Sequence, residues 1–342
     1  MQMRLFDAHC DTIIKVVDDG VDFLSASAAS QVSLPGFRQA GIRAQLFACF
    51  VLSERFPGAE RERAETLVRG VHDVVAASRG ALRLVASRAD LPGEGAGPIA
   101  AIIGLEGADP LEGRAEALVD FHRMGVRLII PAWKDNAFAG TAFGTDTPLT
   151  SEGCRLVQLA QELGVVVDVS HLSDRSFADV LHSTRLPCIA SHSNCRALCP
   201  SRRNLTDAQI RALADRGGVI GVNFFSGFLD PAFYRAMEDV RSRAADGASE
   251  RRFIGWVESA ARPAAVWIAR HVQHAISVGG EDCVGLGSDL DGVSSLPLGI
   301  DSVGDLSRVP QLLESAGLMA RQVEKVCWDN QRRVFSETLS PN

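Results

Sequence analysis

Eight short runs of apolar residues punctuate the chain, beginning near Arg4, Ala44, Pro98, Val126, Val165, Pro187, Val219 and Val284. Runs such as AAIIGL, VRLIIPA and GVIGVNFF are apolar at successive positions rather than alternate ones. Parallel strands covered by helices on the far face have this pattern. Between the runs lie stretches with helical periodicity. In residues 60–78, Ala64, Leu67, Val68, Val71, Val74 and Val75 fall on one stripe, with charges opposite. Residues 112–124 and 151–163 behave similarly, the latter after Thr150-Ser151, which are good capping residues. Thr206-x-x-Gln209 is a capping box opening a helix over 207–216, which Gly217-Gly218 ends, and Leu318–Leu339 supplies a last helical segment. Strands and helices alternating in this way predict a (β/α)8 TIM-like barrel occupying residues 1–342 as a single domain. The gap over residues 225–283 is too long for one crossover helix. It predicts a helical insertion between strands 7 and 8. The charged part of that insertion, 235–252, reads equally well as a cover over the catalytic face and as a solvated surface helix.

Composition narrows the setting. The chain has 342 residues, 46% hydrophobic and 23% charged, and carries a net charge of −7 with no basic block. Nucleic acid is therefore not an expected partner, and no apolar run is long enough to span a bilayer. The start, Met1-Gln-Met-Arg4, runs straight into the first apolar stretch, so no signal peptide is expected. Eight cysteines without a dense framework read as reduced thiols of a cytoplasmic protein. Cys195 and Cys199 read as small buried residues, and the sequon at Asn204 as one that carries no sugar.

The ends of the runs carry the chemistry. Five of the eight stop at ligand-type side chains: His9 with Asp11, Glu106, His171, His192 and Asp289. In a parallel barrel all C-terminal strand ends meet at one face, where active sites are built. His9 and Asp11, two apart, can reach one ion; imidazole nitrogen with carboxylate oxygen suits zinc or a similar divalent metal. Glu106 closes a buried strand, where an ionised carboxylate needs pairing or coordination; its two oxygens can bridge two cations. His171 and His192 close successive strands and fit a second metal position beside Glu106. Two metals ~3.5–4 Å apart lower the pKa of a shared water to about 7. Asp289, in GLGSDLDG with Asp291 expected on the same strand face, suits a general base that then acts as acid, while Asp291 reads as supporting or structural. One of Arg202 and Arg203 can pair with a substrate carboxylate. His72, His122, His182, His271 and His274 fall in helical stretches and read as structural.

Taken together these residues resemble the membrane (renal) dipeptidase family of dinuclear zinc peptidases. The resemblance rests on Asp7-Ala-His-Cys-Asp11, Ile103-Gly-Leu-Glu-Gly107, Val167-Asp-Val-Ser-His171 and Ser191-His-Ser193. It continues through Ser201-Arg-Arg-Asn204 and Gly287-Ser-Asp-Leu-Asp-Gly292, in the family's order. It implies two Zn2+ per chain, one held by His9 and Asp11, the other by His171 and His192, with Glu106 bridging. It also implies Asp289 as acid/base, Arg203 on the dipeptide carboxylate, frequent homodimers, and hydrolysis of dipeptides, L,D-dipeptides included, through a metal-bridging hydroxide. One position departs from the pattern: Trp133 stands where many members carry a substrate-contacting histidine after the fourth strand. A different dinuclear amidohydrolase acting on a non-dipeptide amide is the competing reading, kept open by Lys134, the candidate for a carbamylated bridging lysine. A non-catalytic barrel is the third.

Overall fold

The computed structural model describes residues 2–95, 97–243 and 247–341. Among these, nine strands run in parallel: β1 Leu5–Cys10, β2 Ile42–Phe50, β3 Leu82–Leu84, β4 Ile99–Glu106, β5 Val126–Ile130, β6 Val166–Val167, β7 Ile189–Ala190, β8 Val219–Val222 and β9 Val284–Leu286. Eight of them pair in the order β6-β5-β4-β2-β1-β9-β8-β7. The two ends of that path meet where Asp168 bridges to Ile189, with Val169 N–H donating to Ile189 O at 2.7 Å. The result is the expected eight-stranded barrel. The ninth strand, β3, is too short for a sequence pattern to reveal; it pairs with Ile99–Ala101 at the start of β4, ahead of the stretch that β5 joins.

Two apolar layers explain why the strands read as continuous apolar runs. An inner cluster holds Phe6, Leu46, Ile102, Leu128, Val166 and Val219 inside the barrel, and an outer one packs the other strand faces against helices. The inner cluster also contains Trp328 and Phe335 from the C-terminal helical segment, whose rings lie 6.1 and 5.2 Å from that of Phe6. Phe6 sits near the start of β1, so these two rings stopper the N-terminal mouth. The C-terminal mouth is left for chemistry.

The helices follow their sequence signals closely. The predicted stripe forms helix Glu60–Ala77, with Ala64, Leu67, Val68, Val71 and Val74 buried. Thr150 caps Ser151–Glu162 by accepting from Gly153 N–H, and the Thr206/Gln209 capping box opens Asp207–Ala214. The helix expected over 112–124 starts late, with a short 3-10 turn at Ala115 leading into Leu118–Arg123. Glu112 and Gly113 are both left-handed (φ 53° and 71°) and interrupt it. Between β8 and β9 the insertion comprises Ser226–Leu229, Pro231–Ser242 and Gly247–Ser259, before Val266–Gly279 leads back to the barrel. Phe233, Met237 and Val257 give it a small apolar cluster of its own. The expected cover segment, 235–252, falls partly outside the described residues, at 244–246. The insertion does reach the mouth elsewhere: the Phe228 ring lies 5.9 Å from the Arg203 guanidinium carbon.

Candidate metal centre

At the C-terminal mouth the strand ends converge. β1 ends in His9 and Cys10, and Asp11 follows directly, ahead of helix Thr12–Asp19. β4 ends in Glu106; His171 and His192 lie just beyond β6 and β7, and Asp289 three residues beyond β9. All six are buried or nearly so. The Glu106 oxygens face in different directions. Oε2 is 3.3 Å from His9 Nε2, whereas Oε1 is 2.9 Å from His171 Nε2 and 3.6 Å from His192 Nε2. His9 Nε2 is also 3.6 Å from Asp11 Oδ2. Ligand atoms of His9, Glu106 and His192 lie within 4.8 Å of one another, as do those of His9, Asp11 and Asp289.

The backbone is bent to achieve this. His171 and Asp289 hold φ of 70° and 62°, left-handed values that side chains other than glycine rarely adopt. Such strain concentrates at functional sites. Close approach is needed as well: a Cβ on Gly287 would lie 1.7 Å from Ser191 O, and one on Gly292 2.1 Å from Asp11 Oδ2. The chain turns rather than continuing as a strand after Leu286, which corrects the expectation that Asp289 and Asp291 share a strand face. Asp291 (φ 66°) points away, accepting from Thr12 Oγ1, Ser30 Oγ and Gln31 N–H, and pairing with Lys15 at 2.9 Å. It fastens the segment around residue 30 to the barrel.

Electrostatics make the cluster hungry for cations. Burial pushes the Asp289 carboxyl up to about 8; His9 opposes that, while Asp11 and Glu106 add to it. Burial also raises Asp11. For Glu106 burial acts upward too, but His9 and His171 overcome it and hold the carboxyl well below its usual range. His9 is the counterpart: burial disfavours its cation, yet Glu106 and Asp11 outweigh burial and raise its pKa well above normal. His192 is pushed far down by burial and then by His9, and His171 to about 3 by burial and then by Arg203. Three carboxyl groups thus share one buried arginine and a proton on His9, and the raised Asp289 and Asp11 show how little cationic charge that is.

These donors fit a divalent metal. His9 Nε2 is buried, makes no hydrogen bond, and faces two carboxylates. Two imidazole nitrogens, His171 Nε2 and His192 Nε2, approach to 2.8 Å with neutral rings. One contact runs against ligation: Arg203 Nε–H donates to His171 Nδ1 at 3.1 Å, so the His171 ring proton sits on Nε2. Arg203 also donates to Ser193 Oγ and His192 O, leaving one N–H free on each terminal nitrogen.

Other expected residues are placed as follows. Trp133, half-exposed, packs against Phe50 with ring centroids 4.7 Å apart and planes tilted by 50°, and lies 6.1 Å from the His171 ring. It borders a cavity of about 340 Å³ that also touches Glu54, Asp109 and Asp135. Lys134 is exposed and paired with Glu54, away from the cluster. His72, His122, His182, His271 and His274 all lie on outer helices. Asn204 is buried, with its amide donating to Cys199 O and Phe228 O. Asn223, after β8, was not singled out by sequence; its amide donates to Asp289 Oδ2 at 2.7 Å and aims that carboxyl. A polar residue closing the seventh apolar run was the available signal.

Comparison with known proteins follows the same lines. A family model for membrane dipeptidases, peptidase family M19, matches residues 1–340. An uncharacterized protein in the pqqA 5′ region of Klebsiella pneumoniae is 35% identical over 274 residues, covering 77% of this chain and 91% of that one. Among solved structures, the metallopeptidase dipeptidase AC of family M19 superposes with a TM-score of 0.85 at 26% identity, over 99% of both chains. A metallopeptidase from Rhodobacter sphaeroides, liganded with a phosphinate mimic of L-Ala-D-Ala, gives a TM-score of 0.84 at 25% identity, over 99% of this chain and 100% of that one. No helix among the described residues is long and apolar enough to cross a membrane.

Proposed function

The chain belongs to the membrane dipeptidase family of metallopeptidases, and from that premise we propose a dinuclear zinc centre in which His9 and Asp11 hold one ion, His171 and His192 the other, and Glu106 bridges them. The observation that carries this reading is the division of Glu106, whose Oε2 faces His9 while Oε1 faces His171 and His192. Imidazole and carboxylate donors of this kind suit zinc. When bound, the ions supply a Lewis acid for the peptide carbonyl and lower the pKa of water to about 7.

The remaining steps belong to the protein's own groups. Two cations beside Asp289 would draw its carboxyl down from about 8; aimed by Asn223, the carboxylate takes a proton from the attacking water as the water oxygen adds to the carbonyl carbon. It then delivers that proton to the amine nitrogen as the C–N bond breaks. Arg203 offers its two free N–H groups to the substrate carboxylate; burial lowers its pKa to about 10, which leaves it cationic at neutral pH. Were His171 to hold an ion through Nε2, its ring proton would sit on Nδ1 and the Arg203 guanidinium would be free of its present contact. Trp133 forms a wall of the substrate site and, with the cavity beside it, selects the substrate side chain.

Lys134, engaged with Glu54 and outside the cluster, gives no support to a carbamylated-lysine amidohydrolase. A panel of L,L- and L,D-dipeptides, run beside cyclic amides and N-acyl amino acids with bound metal quantified, tests the reading. Dipeptide hydrolysis that scales with zinc content is expected. Hydrolysis of the other amides alone would overturn it.

A further inference from the structure

Arg203 is 3% exposed, so a carboxylate that reaches it must come to rest against the groups that cover it. One of these is the Phe228 ring, 5.9 Å from the guanidinium carbon. Two contacts hold that ring in place. Asn204, the residue after Arg203, donates to Phe228 O at 2.9 Å. The Phe225 ring packs edge-on against Phe228 with centroids 4.9 Å apart. Arginine and aromatic ring are thereby set relative to each other before a ligand arrives, which lowers the ordering cost of binding.

A second ring approaches Phe228 from a different loop. Phe143 lies between β5 and helix Ser151–Glu162, and its centroid is 6.3 Å from that of Phe228. It is 52% exposed. Single exposed apolar residues are ordinary, but this one is fixed at the mouth of the barrel. Asp135 accepts from the N–H and the hydroxyl of both Thr141 and Thr145, which bracket Phe143. Ala142 N–H donates to His171 O at 2.7 Å, and Thr141 bridges to Leu172. From the insertion, the Arg241 guanidinium carbon lies 5.7 Å from the Phe143 ring. Two rings, on two independently braced segments, thus meet beside the buried arginine.

We propose that Phe143 and Phe228 form the subsite for the side chain of a dipeptide's C-terminal residue, and that the protein prefers a large apolar or aromatic residue there. This rests on the reading of Arg203 as the partner of the substrate carboxylate. That carboxylate and the C-terminal side chain are carried by the same carbon, so anchoring one beside Phe228 keeps the other near the two rings. A basic side chain is disfavoured there by Arg203 and Arg241. An acidic one gains little, because Arg241 is exposed, lies 3.9 Å from Glu238 and is screened by solvent. The cavity beside Trp133 sits at the ends of β2, β4 and β5, across the barrel from Arg203 beyond β7. It is left for the N-terminal residue.

Steady-state kinetics of the Zn2+-supplied protein with L-Ala-Gly, L-Ala-L-Phe, L-Ala-D-Phe and L-Ala-L-Glu tests the subsite. For the better phenylalanine dipeptide, kcat/KM should exceed that for L-Ala-Gly at least about tenfold, chiefly through KM. L-Ala-L-Glu should show no such advantage. Phe143→Ala should cut the Phe/Gly ratio about 3–10-fold by raising KM for the phenylalanine dipeptide, with melting temperature and zinc content near the parent's. Phe143→Tyr, which keeps the ring, should restore the ratio. A loss in Phe143→Ala that is equal for both dipeptides, or confined to kcat, assigns the loop to the fold and overturns the subsite. A parent that favours Gly or Glu over Phe overturns it whether or not the variants fold. A parent that hydrolyses no dipeptide at all refutes the dipeptidase reading, and the subsite falls with it.

Discussion

Asp289 stands among two other buried carboxylates, Asp11 and Glu106, with the Asn223 amide on one of its oxygens. Asp289→Asn keeps the size and hydrogen-bonding reach of the side chain but cannot take a proton. Turnover should fall about 10²–10⁴-fold with metal content and melting temperature little changed. Steady-state kinetics beside metal analysis checks this, and undiminished kcat would remove Asp289 from its role. Trp133→His places an imidazole just beyond β5, where the family resemblance leads one to expect a histidine. It should change the ratio of kcat/KM between dipeptides that differ in side chain while leaving metal content alone. An identical substrate profile would show that Trp133 does not select. At this scale the residues His9, Glu106, His171 and His192 were legible because each closes an apolar run, and a parallel barrel brings such ends together. Asn223 was not, although it closes an apolar run that was read. Its role depends on which oxygen it faces, Asp289 Oδ2, and only the folded backbone decides that.

The elements were legible where they are long. Helix Glu60–Ala77 and strand β4 carry enough periodic residues to declare themselves. Strand β3, with three residues, does not. The segment after β9 was misread because alternation along a strand was extended past Leu286. There, left-handed φ at Asp289 and Asp291 sends the two side chains to different places. The tight junction of β9 with the loop after β7 yields a prediction of its own. A methyl group on Gly287 would sit 1.7 Å from the Ser191 carbonyl oxygen, and backbone cannot yield cheaply. Gly287→Ala should therefore cost about 1–3 kcal/mol of stability. It should weaken metal binding too, because the displaced strand end carries Ser191 and His192. A variant with the parent's melting temperature and zinc affinity would contradict that geometry.

For the molecule as a whole, Trp328 and Phe335 close one mouth of the barrel while charge gathers at the other. Metal held by the proposed ligands would tie β1, β4, β6 and β7 together, so the loaded protein should melt higher than the stripped one. Saturation at 100 times Kd is worth about 2.7 kcal/mol. Acid stability has a separate source in His271. Its ring is buried, accepting from Cys195 N–H at Nδ1 and bonding to Leu229 O at Nε2, and burial lowers its pKa to about 4. Between its ordinary value, 6.5, and about 4 the unfolded chain binds the proton and the folded one does not. Stability from this group is thus complete above pH 6.5 and declines as pH falls toward 4, by roughly 3 kcal/mol in all. Denaturant unfolding of the parent and His271→Gln across that range should show a slope about 1.4 kcal/mol per pH unit smaller in the variant; equal slopes would refute the assignment. The central claim, a two-metal dipeptidase bridged by Glu106, meets its most direct test in one titration. Metal-stripped protein receives Zn2+ in steps while hydrolysis of an L,D-dipeptide is followed. The account predicts no turnover without metal and full turnover at two equivalents per chain. Undiminished hydrolysis by the stripped protein would contradict it.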